Sequence, residues 1–203
     1  MKTYRTTRDL ITDVKKLLAS RDVYSSRTLP LERVLDVLYE GRHYFWIGIY
    51  LVVGDRVVRQ AFRGPVPPCH SFALGTGNVG TTGQTGVVKV VPDVSSDPTY
   101  SMCFVETKSE IVVPIKIAGR VLGVIDVESD KADAFSMHER ILLEFVAEQL
   151  ARFLTSRGKY LVRHAREKAA AESTKTPQER GQQPTSERPH MERMKAAVGE
   201  RSH

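Results

Sequence analysis

Two cysteines, Cys69 and Cys103, are the side chains of this 203-residue chain that are best suited to covalent chemistry. A cysteine thiolate is a strong nucleophile, and two thiols within reach of each other can form a disulfide. Neither cysteine has another cysteine or a histidine at the spacing of a zinc finger, so we expect no metal site. Because free cysteines are usually buried in protein cores, two inert buried thiols remain an alternative.

Three acidic residues form a second group with chemical potential. Glu110 lies on one β-rich segment, and Asp126 and Glu128 lie on the next, with Gly119 marking the turn between them. A three-residue loop at 118–120 places Glu110 opposite Glu128 and sorts the apolar residues onto the other face. The apolar pairs expected with this loop are Ile117 with Val121, Val113 with Ile125, and Ile111 with Val127.

The length of this loop matters because a shift of one residue exchanges the two faces of a strand. A two-residue loop would set Ile111 opposite Asp126 and would mix acidic and apolar side chains on one face. The three-residue loop is therefore preferred, and it predicts that the three carboxylates gather on one patch of the sheet. That patch either faces solvent, as one face of an antiparallel sheet often does, or lines a buried site.

The elements that must position these residues follow from the periodicity of the apolar residues. Helical spacing predicts helices at 7–20, 30–40 and 137–156. Runs of aromatic and β-branched residues predict strands at 44–53, 56–63, 70–73, 87–91 and in the two halves of 110–127. Because this order lacks the regular βαβ alternation of a parallel sheet, we predict an α+β fold with an antiparallel sheet of about six strands and flanking helices.

Charge and composition divide the chain into two parts. Residues 158–203 contain ten Lys or Arg and six Asp or Glu, and their second half is rich in polar residues and proline. We therefore expect a folded domain at 1–157 and a basic, disordered tail at 158–203. Since the tail carries most of the net charge of +6, the folded part requires no nucleic acid partner.

The sequence contains neither a membrane span nor a signal for export. No apolar run approaches the length of about eighteen residues that a membrane helix needs, and the N-terminal segment lacks an apolar signal region. We therefore expect a cytoplasmic protein without membrane contact, in a compartment where a stable structural disulfide is unusual. Nothing in the sequence indicates a cofactor.

The segment at 109–129 resembles the GAF domain family. It contains that family's S-E-I-x-V-P strand, a turn centred on glycine and the G-V-x-D-x-x-S strand. The Pro-Asp-Val segment at 92–94 and the predicted C-terminal helix also fit, so the resemblance covers about residues 30–155. It implies a GAF-like fold, and because GAF domains differ widely in function, the fold alone does not decide the activity.

Further residues resemble one enzymatic branch of this family, which reduces free methionine-R-sulfoxide. The motif of that branch has a reactive cysteine seven residues before the Glu of the S-E strand, where this chain has Cys103. Its resolving cysteine lies six residues before a G-x-G-x-x-G loop, where this chain has Cys69. The other matching positions are the carboxylates Glu110, Asp126 and Glu128 and the W-x-G-x-Y residues Trp46, Gly48 and Tyr50.

This resemblance implies a thiol-dependent reduction of free methionine-R-sulfoxide. Cys103 would attack the sulfoxide sulfur, release methionine and become a sulfenic acid, which Cys69 would convert into a disulfide. A thioredoxin-like reductant would then restore both thiols by exchange. The resemblance also suggests a homodimer.

The same resemblance implies how the substrate is held. Glu110 and Asp126, with Glu128 beside them, would bind the substrate ammonium group through charge-assisted hydrogen bonds. Repulsion among the carboxylates would keep one of them protonated, and this group would serve the sulfoxide oxygen as an acid. Trp46 and Tyr50 would form the wall around the methylthio group, because aromatic rings favour sulfur; plain core packing is the alternative role for both.

The chain departs from this branch at several positions. Val79 stands where the branch usually has a further cysteine, Glu128 replaces an aspartate, and residues 99–103 read TYSMC where the branch usually reads GHIAC. Two other functions therefore stay open. One is a GAF domain that binds a small molecule without catalysis, and the other is a redox sensor that uses a disulfide between the two cysteines as a switch.

Overall fold

Five helices and six strands make up residues 4–20 and 29–173, the part of the chain that this computed structural model describes. The helices are α1 (Thr7–Ala19), α2 (Pro30–Gly41), α3 (Gly77–Thr85), α4 (Met137–Thr155) and α5 (Lys159–Ser173). The strands are β1 (Trp46–Val53), β2 (Arg56–Arg63), β3 (Ser71–Ala73), β4 (Lys89–Val91), β5 (Ser109–Ile117) and β6 (Arg120–Ser129). A short 3₁₀ helix at Val94–Ser96 follows β4.

All six strands belong to one antiparallel sheet with the order β3–β2–β1–β6–β5–β4. The hairpins β1–β2 and β5–β6 occupy its centre because strands joined by tight turns pair with each other. Pairing of β1 with β6 joins the two hairpins, and the short strands β3 and β4 form the edges. The predicted α+β fold with about six antiparallel strands is confirmed.

The main hydrophobic core lies between one face of this sheet and the helices α2 and α4, and it extends to α1, which packs against these two helices. Alternate residues of β1 point to that face and are fully buried, namely Ile47, Ile49 and Leu51. The helices cover them with apolar stripes that include Leu10, Val14, Leu35, Leu38, Leu142 and Val146. Burial of these stripes explains why the helical periodicity of the sequence located the three helices correctly.

The β5–β6 hairpin has the predicted register near the acidic residues but a different turn. The pairs of Val113 with Ile125 and of Ile111 with Val127 are confirmed. The third predicted pair is wrong, because Ile117 lies opposite Arg120 rather than Val121. Only two residues form the turn, Ala118 and Gly119, and their φ angles of 48° and 77° match a type I′ turn, whose twist suits a hairpin.

A β-bulge reconciles this two-residue turn with the predicted register. The register shifts between Ile115, which lies opposite Gly123, and Lys116, which lies opposite Val121, so Leu122 is the extra residue of β6. A bulge and an additional loop residue change the register by the same amount. The alternation of side chains therefore predicted the correct faces while assigning the extra residue to the wrong place.

The first part of the segment 158–203 is helical. Two residues of α5, Leu161 and Ala165, are buried in the main core. Residues 174–203 lie outside the described part of the chain, and so does most of the segment for which disorder is predicted; the domain division at 157 stays a prediction. Within the described ranges, no helix is both long enough and apolar enough to span a membrane.

Candidate active site

The second face of the sheet carries the predicted acidic residues together with a smaller apolar cluster. Alternation along β1 sends Trp46 and Tyr50 to this face, away from the main core. Strand β6 pairs with β1 on one side and with β5 on the other. Glu128 of β6 therefore lies between Trp46 of β1 and Glu110 of β5. Asp126 lies two residues before Glu128 and points to the same face. Helix α3 packs over this region against β5 and β6.

The three carboxylates are buried. Glu110, Asp126 and Glu128 have exposed fractions of 3%, 2% and 3%. One oxygen atom from each residue lies within 4.8 Å of the others. The alternative in which these groups face solvent is therefore excluded. Carboxylate oxygens at this separation can bind a cation, either a metal ion or an ammonium group.

Neutral side chains stabilise two of the three carboxylates. Asn78 of α3 donates a hydrogen bond from Nδ2 to Oε2 of Glu110 at 2.6 Å, and the Thr107 hydroxyl donates to Glu128. The Oδ1 atom of Asp126 is buried and has no hydrogen-bond partner among the described residues. Because buried polar atoms are nearly always paired in native proteins, this oxygen is suited to accept a hydrogen bond from a ligand.

Loss of hydration raises the pKa of all three carboxyl groups. The pKa of Glu110 rises to about 8, because burial and the charge of Glu128 outweigh its hydrogen bond from Asn78. Burial raises the pKa of Glu128 to about 7. Burial and the charges of Glu110 and Glu128 raise the pKa of Asp126 well above its usual range. The cluster therefore retains protons at neutral pH.

The two cysteines are joined by a disulfide on this same face. Their Cα atoms are 5.7 Å apart, although 34 residues separate Cys69 from Cys103 in the sequence. Cys69 lies between β2 and β3, and Cys103 lies between β4 and β5. Both are half-buried and pack against the apolar cluster that includes Trp46 and Phe104. The structure thus contains the cysteine pair that the family resemblance implies, and not two inert separate thiols.

Close packing against α3 holds the loop that carries the second of these cysteines. The Thr99 hydroxyl donates to Oδ1 of Asn78 at 3.0 Å, and Asn78 in turn donates to Glu110. Gly77 has a φ of +64°, and a β-carbon at this position would lie 2.5 Å from Oγ of Ser101. Glycine tolerates both this backbone conformation and this close approach. The start of α3 therefore connects the cysteine loop to the carboxylate cluster.

Gly48 explains the W-x-G-x-Y pattern of β1. A β-carbon at Gly48 would lie 2.2 Å from Cη2 of Trp46, so the indole can lie along the strand only because position 48 has no side chain. The indole lies between Phe62 and Phe104, at centroid distances of 6.3 Å and 6.0 Å. Since Gly48 pairs with Asp126, the indole forms an apolar surface near this carboxylate.

Replacing Gly48 with alanine is expected to displace the Trp46 indole and to lower the free energy of unfolding by about 1–3 kcal/mol, the usual cost of overpacking. Fluorescence of Trp46, the single tryptophan of the chain, reports the displacement, and urea unfolding followed by far-UV circular dichroism gives the free energy of unfolding with and without the indole. The same substitution should cost less in a Trp46→Phe background, where the shorter ring leaves room for the methyl group. An equal cost in both backgrounds would contradict this account.

Sequence reasoning missed three residues of the site, namely Asn78, Thr107 and Tyr100. Asn78 stands in a run of glycine and threonine that indicates a turn into a helix, and Thr107 and Tyr100 stand in a long polar connection. The one available signal for the last two was the length of that connection, because long loops are often functional. Their convergence on the carboxylates depends on how the loop folds over the sheet.

A separate pocket of about 430 Å³ opens between β5 and α4. Its walls include Pro114 and Lys116 from the strand and Arg140 and Glu144 from the helix. It contains neither cysteine and none of the three clustered carboxylates. The candidate site is therefore recognised by its redox-active cysteines and buried carboxylates and not by the volume of a pocket.

Comparisons with known proteins agree with these features. The chain is 34% identical to GAF domain-containing protein A of Dictyostelium discoideum over 128 residues, which is 63% of this chain and 78% of the relative. It is 36% identical to free methionine-R-sulfoxide reductase of Saccharomyces cerevisiae over 107 residues, which is 51% of this chain and 59% of the relative.

Solved structures extend this similarity to the fold. The X-ray structure of free methionine-R-sulfoxide reductase from Neisseria meningitidis in complex with its substrate has a TM-score of 0.68 and 29% sequence identity. The match covers 78% of this chain and 99% of that chain. The family model described as GAF domain matches residues 25–154, which is more than half of the sequence. The chain therefore belongs to the GAF domain family, as the motifs of its β5–β6 hairpin predicted.

Proposed function

We propose that this protein is an oxidoreductase that reduces free methionine-R-sulfoxide to methionine with electrons from thiols. The observation that carries this proposal is the placement of the Cys69–Cys103 pair and the buried carboxylates on one face of the sheet. A redox-active pair beside groups that bind an ammonium and hold a proton is what the reduction of a free amino acid sulfoxide requires.

Relatives support this choice over a binding domain without catalysis. Proteins named free methionine-R-sulfoxide reductase match this chain from yeast, at 36% identity, and from Escherichia coli, at 26% identity over 88% of that relative. The Neisseria meningitidis structure holds the substrate of its reductase in a domain of the same fold. We therefore assign the same substrate class to this chain, whose cysteines and carboxylates stand at the motif positions of the enzymatic branch.

The first step is the transfer of the sulfoxide oxygen to Cys103. The thiolate attacks the sulfur atom, and the sulfoxide oxygen takes up one proton from the site. The oxygen passes to Sγ of Cys103 as the sulfur–oxygen bond of the substrate breaks, and methionine leaves as a thioether. Cys103 is oxidised to a sulfenic acid, whose oxygen comes from the substrate, while the substrate sulfur is reduced by two electrons. Cys103 gives its proton to the site when it ionises, and the site gives one proton to the oxygen, so the net exchange is thiol plus sulfoxide for sulfenic acid plus thioether.

The second step is the formation of the Cys69–Cys103 disulfide. The Cys69 thiol condenses with the sulfenic acid, and one water molecule leaves. Cys69 is the remaining thiol of the chain, because Val79 occupies the position at which the enzymatic branch usually has a further cysteine. Val79 is itself buried in the apolar cluster beside both cysteines. A dithiol of the thioredoxin type then reduces the disulfide and is oxidised in turn.

The carboxylate cluster binds the substrate and supplies the proton. An ammonium group placed among Glu110, Asp126 and Glu128 would compensate the repulsion that raises their pKa values. Asp126 is suited to hold and donate a proton, because burial and the charges of Glu110 and Glu128 raise its pKa. Trp46 and Tyr50 provide the apolar wall for the methylthio group.

The direct test is turnover of the two sulfoxide epimers with dithiothreitol as the reductant, measured as methionine released. We expect methionine from the R epimer and none above background from the S epimer. Absence of turnover with the R epimer, under conditions in which a known reductase works, would refute the proposal. A disulfide that forms and breaks without turnover would instead favour the redox sensor. The thioredoxin-like partner, the homodimer and the cytoplasmic location stay predictions.

A further inference from the structure

We propose that Tyr100 recognises the sulfoxide oxygen of the substrate by donating a hydrogen bond to it, a role that rests on the proposed reductase function. Tyr100 lies three residues before Cys103, on the loop that covers the carboxylate cluster. The proposed mechanism so far leaves this residue without a role. Its position matches the histidine of the GHIAC segment in the enzymatic branch, so the role concerns a residue at which this chain differs.

The backbone around Tyr100 is held in place on both sides. Its amide donates to the carbonyl of Asp97 at 3.1 Å, and the adjacent Thr99 hydroxyl donates to Asn78. On the other side, Ser101 contacts Gly77 at the start of α3. The position of the ring is therefore determined by the loop and not by a flexible chain end. A fixed donor is what recognition of a single oxygen atom needs.

The hydroxyl of Tyr100 is a buried donor without an acceptor. Its oxygen is shielded from solvent and makes no hydrogen bond of normal geometry with any described residue. The Thr107 hydroxyl lies near enough to lower the pKa of the phenol, but the two hydroxyl groups are not placed to form a hydrogen bond with each other. Because buried donors are rarely left unpaired in native proteins, a missing acceptor points to a ligand atom.

Tyr100 remains protonated throughout the physiological pH range. Burial raises the pKa of its phenol, and the nearby charges of Glu128, Glu110 and Asp126 raise it further. A phenol in these surroundings acts as a hydrogen-bond donor and does not become an anion. It is therefore suited to polarise an oxygen atom while a carboxyl group of the cluster supplies the transferred proton.

The chemistry of the substrate decides which of its atoms meets this donor. The ammonium group has no lone pair to accept a hydrogen bond, and the carboxylate cluster already provides its partners. The α-carboxylate can accept hydrogen bonds but lies at the end of the substrate away from the sulfur. The sulfoxide oxygen is a strong acceptor and is bonded directly to the sulfur atom that Cys103 must approach. Since Tyr100 and Cys103 belong to the same short loop, the donor and the nucleophile reach the same end of the substrate.

The test compares two ligands that differ only in this oxygen. Full-length protein with Cys103→Ser, which prevents turnover, is titrated calorimetrically with methionine-R-sulfoxide and with methionine, with and without Tyr100→Phe. We expect Tyr100→Phe to weaken binding of the sulfoxide about tenfold and to leave binding of methionine unchanged. Tyr44→Phe is the matched control, because it removes a buried hydroxyl that donates to Glu139 near the opposite face.

The possible results separate this inference from the function on which it rests. Equal weakening of both ligands would overturn the inference, because the lost hydrogen bond would then involve a group that both share. Unchanged binding of both ligands would also overturn it. In either case, turnover by the wild type would leave the proposed function standing. Failure of the parent protein to bind the sulfoxide, together with no turnover by the wild type, would refute both.

Discussion

Replacement of Cys103 with serine is expected to abolish the reduction of methionine-R-sulfoxide, with a loss in kcat of at least about 10³-fold. Serine retains the size of the side chain but is neither ionised at neutral pH nor able to accept oxygen to form a sulfenic acid. The loss should be the same with dithiothreitol and with a protein reductant, because the substitution removes the chemical step itself. Steady-state methionine release measures it directly.

Cys69→Ser is the matched control, because the same substitution at the partner cysteine leaves the first chemical step in place. We expect this variant to release about one methionine per chain in a rapid first turnover and then to slow, because the Cys103 sulfenic acid lacks its condensing thiol. A sulfenic acid probe should label this variant after exposure to substrate and should not label Cys103→Ser. Full steady-state turnover by Cys103→Ser would contradict the assignment of the nucleophile.

Glu110→Gln is expected to produce the second largest effect, a rise in KM of about 10- to 100-fold. The substitution keeps the shape of the side chain and its ability to accept the hydrogen bond from Asn78. It removes the carboxylate charge that Glu110 gains when the substrate ammonium binds and lowers its pKa, and charge-assisted hydrogen bonds in buried sites contribute about 1.5–3 kcal/mol each. Initial rates over a range of sulfoxide concentrations separate this effect on KM from any change in kcat.

The same variant is expected to change how stability depends on pH. The pKa of Glu110 rises from 4.5 to about 8 on folding, so the native state binds a proton that the unfolded state releases in this interval. The free energy of unfolding should therefore fall as the pH rises from about 5 to 8, with a slope that approaches about 1.4 kcal/mol per pH unit for one proton. Glu110→Gln lacks this titration, so its thermal midpoint should decline less and exceed that of the wild type at pH 8.

Glu106→Gln is the control for the loss of one negative charge. Glu106 is exposed on the connection between β4 and β5, shortly before Glu110, and does not belong to the buried cluster. It should leave KM and the pH dependence of the thermal midpoint unchanged. A thermal midpoint of the wild type that rises between pH 5 and 8, with no difference between wild type and Glu110→Gln, would show that the cluster does not hold protons in the folded state.

The strands and the sorting of their faces were predictable because both depend on a period of two along the chain. Alternation in β5 and β6 separated Ile111 and Val127 from Glu110 and Glu128 without knowledge of the fold. The turn was not predictable in the same way. Alternation counts residues between two paired positions, and it cannot tell whether the extra residue lies in the loop or at Leu122 in the bulge.

The sequence by itself determined the three helices that form the main core with the sheet, the strands, the sharing of one face by three acidic residues and the positions of two cysteines in motifs of the GAF family. Only the tertiary structure decided that this face is buried under α3 and the cysteine loop, and that Cys69 and Cys103 meet. It also decided that Asn78 and Tyr100 approach the carboxylates. The physical reason is that local patterns report the face of a side chain, whereas burial, pKa and pairing depend on segments that are distant in sequence.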